Sequence, residues 1–125
     1  MFQRVDEQCS KIIFWQISFW SLSFWIIWCI ATTLMLLPAD ELPVVDIWDK
    51  AEHAFTFFVL MLLGWLGYRK QLNVYRLMAL LISYGIAIEC IQYFIPSRSF
   101  SVLDMVADSV GVVLAFAIFR YWKPA

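Results

Sequence analysis

Four long apolar runs, separated by short polar breaks, set the pattern of this chain. The first extends from Ile12 to Leu37 without a charged residue, and the others cover about 49–68, 77–95 and 102–119. At about 1.5 Å of helical rise per residue, the first run exceeds the ~30 Å hydrocarbon core of a bilayer and can span it with tilt. The breaks carry the punctuation. Pro38 to Trp48 holds two prolines and three acids; Arg69, Lys70, Gln71, Asn73 and Arg76 make a basic connection; Pro96 to Ser101 makes a tight loop. The pattern predicts an all-α, polytopic membrane protein: a four-transmembrane-helix bundle forming one domain over residues 1–125.

A signal peptide is the competing reading of the first run, because Arg4 and Lys11 precede it like an n-region. The run is too long for an h-region and no A-x-A site follows, which favours a retained helix. Composition agrees with the membrane reading. The chain is 63% hydrophobic and only 15% charged, against roughly 45–50% apolar usage in soluble domains. Three cysteines, Cys9, Cys29 and Cys90, form an odd set without CxxC spacing, so neither a structural disulfide nor a cysteine metal site is expected.

Charge placement predicts orientation. With four spans, both termini and the 69–76 connection share one side, which holds Arg4, Lys11, Arg69, Lys70, Arg76, Arg120 and Lys123; Lys50 and Arg98 fall on the other. Positive-inside logic puts both termini in the cytoplasm. Tyr121 and Trp122, flanked by Arg120 and Lys123, make an aromatic–basic end typical of membrane interfaces. Most acids take the opposite side, so Asp49, His53, Glu89, Gln92, Arg98, Asp104 and Asp108 are expected at one extracytoplasmic end of the bundle.

These polar residues are the candidate chemistry, because an ionisable side chain at bilayer depth costs about 2.5–3.5 kcal/mol even on lenient scales. Asp49 and His53 lie four apart and share a helical face. Asp49 with Glu52 also fits a capping box, which leaves His53, the only histidine, unexplained. Glu89 and Gln92 share a face in the last turns of the third run; six residues before Ile95, Glu89 is placed roughly 9 Å deep. A carboxyl there must be protonated, paired with a cation such as Arg98, or facing a wet cavity. Ser101 and Asp104 match an S-x-x-D cap opening the fourth run, and the helix dipole favours Asp104 more than the deeper Asp108. Ala107, Gly111 and Ala115 recur at every fourth position beside those acids; small-xxx-small spacing lets another helix approach closely. Gly64 and Gly67 make a weaker signal of the same kind in the second run. The Trp- and Phe-rich first run is expected to pack outside the polar cluster.

Two blocks of this sequence resemble the VanZ-like family of small integral membrane proteins. They are Asp49-Lys50-x-x-His53, and Glu89-x-x-Gln92 followed by Pro96-x-Arg98, Asp104 and Gly111. The family pattern reads D-K-x-x-H, then E-x-x-Q-x-x-x-P-x-R and D-x-x-x-N-x-x-G. Asp108 departs from it, standing where asparagine is usual. The resemblance implies a multi-pass protein of the bacterial inner (cytoplasmic) membrane, with a cell-envelope role and a family link to glycopeptide (teicoplanin) resistance. It attaches no reaction to the domain.

Three functions fit these residues. The first is an accessory cell-envelope protein whose outer polar pocket binds a lipid headgroup or an envelope precursor. The second is an intramembrane enzyme acting on a lipid-linked phosphate or glycan, with His53, Glu89, Asp104 and Asp108 as acid–base groups and Arg98 on an anion. The third is a small proton-coupled transporter using Glu89 and His53; four spans are few for this unless a homo-oligomer forms. Metal and cofactor are not expected, because no H-x-x-x-H or H-E-x-x-H spacing exists and any ligands would come from three helices. Nucleic acid is excluded as a partner by the lack of a solvent-facing basic stripe and a glycine-rich phosphate loop.

Overall fold

A computed structural model describes residues 2–37, 46–96 and 100–121, without the side chains at 2, 3, 5, 9–18 and 46–49. The described residues form four helices: α1 Phe2–Leu36, α2 Asp46–Tyr68, α3 Val74–Gln92 and α4 Val102–Tyr121. Each contains a stretch long and apolar enough to cross a membrane. The architecture is the all-α membrane bundle that the four apolar runs predict.

The helix ends differ from the hydropathy boundaries for local reasons. Hydropathy marks the apolar stretch, whereas a helix continues through polar residues that do not break it. α1 therefore begins near the N-terminus, through the mixed segment before Ile12. α2 starts at Asp46, three residues before the expected Asp49, because Pro43 is the last residue upstream that would block a helix. Asp49 is thus inside the first turn rather than capping it, and its side chain lies outside the described residues. α3 starts at Val74, where the Asn73 side chain accepts a hydrogen bond from the Tyr75 N–H at 2.9 Å. At its other end α3 stops at Gln92, with Ile95 N–H returning to the Gln92 carbonyl at 3.1 Å in a tighter turn. Pro96 disfavours the helical conformation at Ile95, so the helix closes before it. Glu89 consequently sits three residues from the helix end, and not the six expected from a helix reaching Ile95.

α2 is the hub, packing on α1, α3 and α4, and α4 is its principal partner; α1 touches α2 and α3. Neighbours in sequence run antiparallel, so alternate helices run parallel: His53 early in α2 meets Asp108 early in α4, and Gln92 at the end of α3 meets Met35 at the end of α1, while Ser21 of α1 meets Gly67 late in α2. A Cβ at Gly67 would lie 2.9 Å from the Ser21 backbone nitrogen, so this glycine sets the α1–α2 approach. The same holds more strongly at Gly111, where a Cβ would come within 2.1 Å of the Ala54 carbonyl oxygen. Gly111 and Ala115 are buried against the bundle and Ala107 is half-buried, as the small-residue spacing anticipates.

Burial runs opposite to that of a water-soluble globule. Phe57, Leu60, Met61, Leu77, Leu81 and Val112 fill the centre, yet Phe94, Phe55, Leu103 and Val102 are well exposed along with many other large apolar side chains. Such a surface is stable only against hydrocarbon. Phenolic groups in this apolar body find partners: Trp25 Nε1 donates to the Tyr68 hydroxyl at 2.7 Å, and Thr32 and Tyr84 share a hydroxyl–hydroxyl bond.

Candidate functional site

The N-terminal parts of α2 and α4 and the C-terminal part of α3 carry charged side chains that face one another. His53, Glu89, Gln92, Asp104 and Asp108 are 3%, 0%, 1%, 7% and 2% exposed. Ile91, Tyr93 and Leu103, next to Gln92 and Asp104, remain exposed, so burial here follows helical face.

His53 is the centre of the cluster. Its Nδ1 lies 2.8 Å from Asp108 Oδ1 and its Nε2 lies 4.0 Å from Asp104 Oδ2. The two acids are one helical turn apart on α4, so the imidazole bridges them from α2. Close contact of the helices at Gly111 and Ala54 brings the side chains into reach. Gly85 of α3 provides space for the same group: a Cβ there would fall 2.8 Å from Asp108 Oδ2.

Glu89 enters from α3. Its Oε2 accepts the Ser101 backbone N–H at 3.0 Å, while the Ser101 hydroxyl accepts the Asp104 N–H at 3.3 Å. Ser101 is therefore the cap that S-x-x-D predicts, but the reciprocal acceptor is Glu89 of another helix and not Asp104. This arrangement ties the α3–α4 loop to α3. Glu89 Oε1 and Asp104 Oδ1 are buried with no hydrogen-bond partner among the described residues. Lys50, half exposed at the rim, holds its Nζ 4.0 Å from Asp104 Oδ1. One oxygen each from Glu89 and Asp104, together with a His53 ring nitrogen, lie within 4.8 Å of one another, a donor set of the type that holds metal ions.

Gln92 closes the cluster from α1's side, donating from Nε2 to the Met35 carbonyl at 2.7 Å. α1 thus packs at the periphery but contributes a backbone acceptor from its last turn, a carbonyl with no partner inside its own helix. Gln92→Leu is expected to leave that carbonyl unpaired and to cost about 1–3 kcal/mol. A urea or thermal titration of purified protein in detergent, followed by helical circular dichroism, measures it.

Of the residues singled out from sequence, His53, Glu89, Gln92, Asp104 and Asp108 converge and Lys50 lies at the edge. Arg98 and the Asp49 side chain lie outside the described residues. Three contributors were not expected from sequence: Gly85, the Ser101 N–H and the Met35 carbonyl. A glycine within an apolar span was the one available signal for Gly85. Backbone groups carry no sequence signal at all.

The surroundings are apolar. On the outer face of the α3–α4 hairpin, Ile86, Val102, Met105, Val106, Val110 and Leu114 line an open groove of about 400 Å³. No curated protein and no solved structure matches the chain. The VanZ/LLP1 family model matches residues 5–123. With four membrane-length helices and the D-K-x-x-H and E-x-x-Q blocks meeting at one end of the bundle, the chain belongs to the VanZ/LLP1 family.

Proposed function

We propose that this VanZ-like membrane protein is an accessory cell-envelope protein whose buried polar end binds the headgroup of a lipid or lipid-linked envelope precursor. The observation carrying this reading is the convergence of His53, Glu89, Asp104 and Asp108 in an otherwise apolar bundle. Ionisable groups this buried are retained at a cost of several kcal/mol each unless compensated, which favours a role beyond packing. The groove along α4 starts at Val102, next to Ser101 and the cluster, and offers an acyl or prenyl chain a path beside it. Four alternating spans assign seven of the nine basic residues to the opposite side. We therefore assign the polar end to the extracytoplasmic face of the bacterial cytoplasmic membrane and both termini to the cytoplasm.

Native mass spectrometry of the detergent-purified protein with phosphatidylglycerol, phosphatidylethanolamine or a polyprenyl phosphate tests the reading. The expected result is selective retention of one lipid class by the wild type and at least tenfold weaker retention by Glu89→Gln. Equal retention of every lipid by both proteins overturns it. Loss of teicoplanin tolerance on deleting the gene, restored by wild type and not by Glu89→Gln, would extend the envelope role to the resistance known at family level.

Intramembrane catalysis is the second reading, favoured by the His53–Asp108 pair. A carboxylate on Nδ1 fixes the ring tautomer and directs Nε2 into the cluster, as a general base requires. Phosphate or glycan release from the retained lipid in the same samples selects this reading over simple binding.

A further inference from the structure

We propose that His53, Glu89 and Asp104 form a site for one first-row divalent cation, Zn²⁺ or Mn²⁺, at the polar end of the bundle. The site stands on geometry alone and does not depend on lipid binding.

The donors come from three helices, all buried, with one ligand atom from each inside a 4.8 Å triangle. Metal–donor bonds of about 2.0–2.2 Å hold paired donors roughly 3–4 Å apart, so only modest rotation of the carboxylates closes the set. His53 Nε2 and Asp104 Oδ2 are already 4.0 Å apart.

Two independent observations point to a cation. The first is the fully buried Glu89, whose Oε1 has no hydrogen-bond partner among the described residues although its Oε2 is held by Ser101. The second is the carboxylate on the far ring nitrogen of His53. Asp108 sits on Nδ1 at 2.8 Å, leaving Nε2 on the side of Asp104; a carboxylate on the distal nitrogen orients metal-binding histidines and raises their basicity. Charge balance points the same way. Among the described residues the cluster holds three carboxyls (Glu89, Asp104, Asp108) and one imidazole, with Lys50 half exposed at the edge. A dication placed among them offsets the acid excess in a region where water is scarce.

The donor chemistry selects the ion class. One imidazole with two carboxylates suits Zn²⁺ or Mn²⁺ better than the all-oxygen cages of Ca²⁺. Three protein ligands leave at least one coordination position open, where a water or an anionic phosphate oxygen fits.

The test is Zn²⁺ titration calorimetry on chelator-washed, full-length protein in detergent without added lipid, with Co²⁺ absorption reporting the ligand set. The expected result is one equivalent of Zn²⁺ per chain and a Co²⁺ visible spectrum lacking a thiolate charge-transfer band. Glu89→Gln, nearly isosteric, should weaken binding by at least tenfold. Asp108→Asn should weaken it by about 10–100-fold while stoichiometry stays at one. Zn²⁺ should also raise the melting temperature of the wild type and not of Glu89→Gln. Absence of saturable binding at micromolar Zn²⁺, binding indifferent to Glu89→Gln, or a thiolate band from Cys29 or Cys90 would each overturn the site. Because lipid is absent, a failed lipid-retention experiment leaves this outcome intact, and the reverse also holds.

Discussion

Gly111→Ala is expected to destabilise the bundle by about 1–3 kcal/mol, the range for forcing an extra methyl into a packed interior. The added Cβ would stand 2.1 Å from the Ala54 carbonyl oxygen, 2.9 Å from its carbon and 3.0 Å from the Phe58 nitrogen. All three are backbone atoms of α2, so no side chain can rotate aside. α4 must move away from α2, and the His53–Asp108 contact lies one turn from the clash. The variant should therefore lose both thermal stability and any ligand binding at the cluster. Ile118→Val, on the exposed side of the same helix and away from the groove, is the matched control, and its change should stay within about 0.5 kcal/mol. Helical circular dichroism against temperature, in one detergent for all variants, measures the difference. Equal melting of Gly111→Ala and wild type would show that the helices do not approach this closely.

Removing the Asp108 carboxyl is expected to have the second large effect. Asp108→Ala strips the 2.8 Å partner from a buried imidazole, and breaking a buried pair in this way costs about 3–5 kcal/mol when both partners are charged. Asp108→Asn keeps the shape and an acceptor oxygen, so its cost should be below about 1.5 kcal/mol. Asparagine is also the usual residue of the family pattern at this position. A double-mutant cycle with His53→Ala separates the pair from its surroundings, with a coupling of about 0.5–3 kcal/mol expected. Strict additivity of the two single changes would mean that the contact carries no energy. Gly85→Ala approaches the same carboxyl from α3, 2.8 Å from Oδ2, and should lower stability in the same direction with a smaller effect.

Much of this was readable along the chain. Uninterrupted apolar runs can be satisfied in a bilayer only by helices or a closed barrel, and runs of this length are helical spans. Helical spacing placed Asp104 with Asp108 and Glu89 with Gln92, and the small residues at 107, 111 and 115 marked a close approach. The ends of the spans were less legible. Hydropathy counts Ile95 as membrane-compatible, yet the geometry imposed by Pro96 closes α3 at Gln92. The cap at Ser101 was legible as a motif, but its second partner was not, because Glu89 reaches it from another helix.

By itself, the sequence determined the class of protein, the number of spans and five of its polar candidates that are buried: His53, Glu89, Gln92, Asp104 and Asp108. Those properties follow from the cost of exposing backbone and charge to hydrocarbon, which acts on each segment separately. Tertiary structure decided who faces whom: His53 lies between Asp104 and Asp108, Gln92 is tied to the Met35 carbonyl, and Glu89 is half satisfied by Ser101. Those pairings depend on the interhelical distance and rotation that Gly111, Gly85 and Gly67 permit. Helical periodicity fixes a residue's face on its own helix, but it contains no term for the rotation of one helix against another.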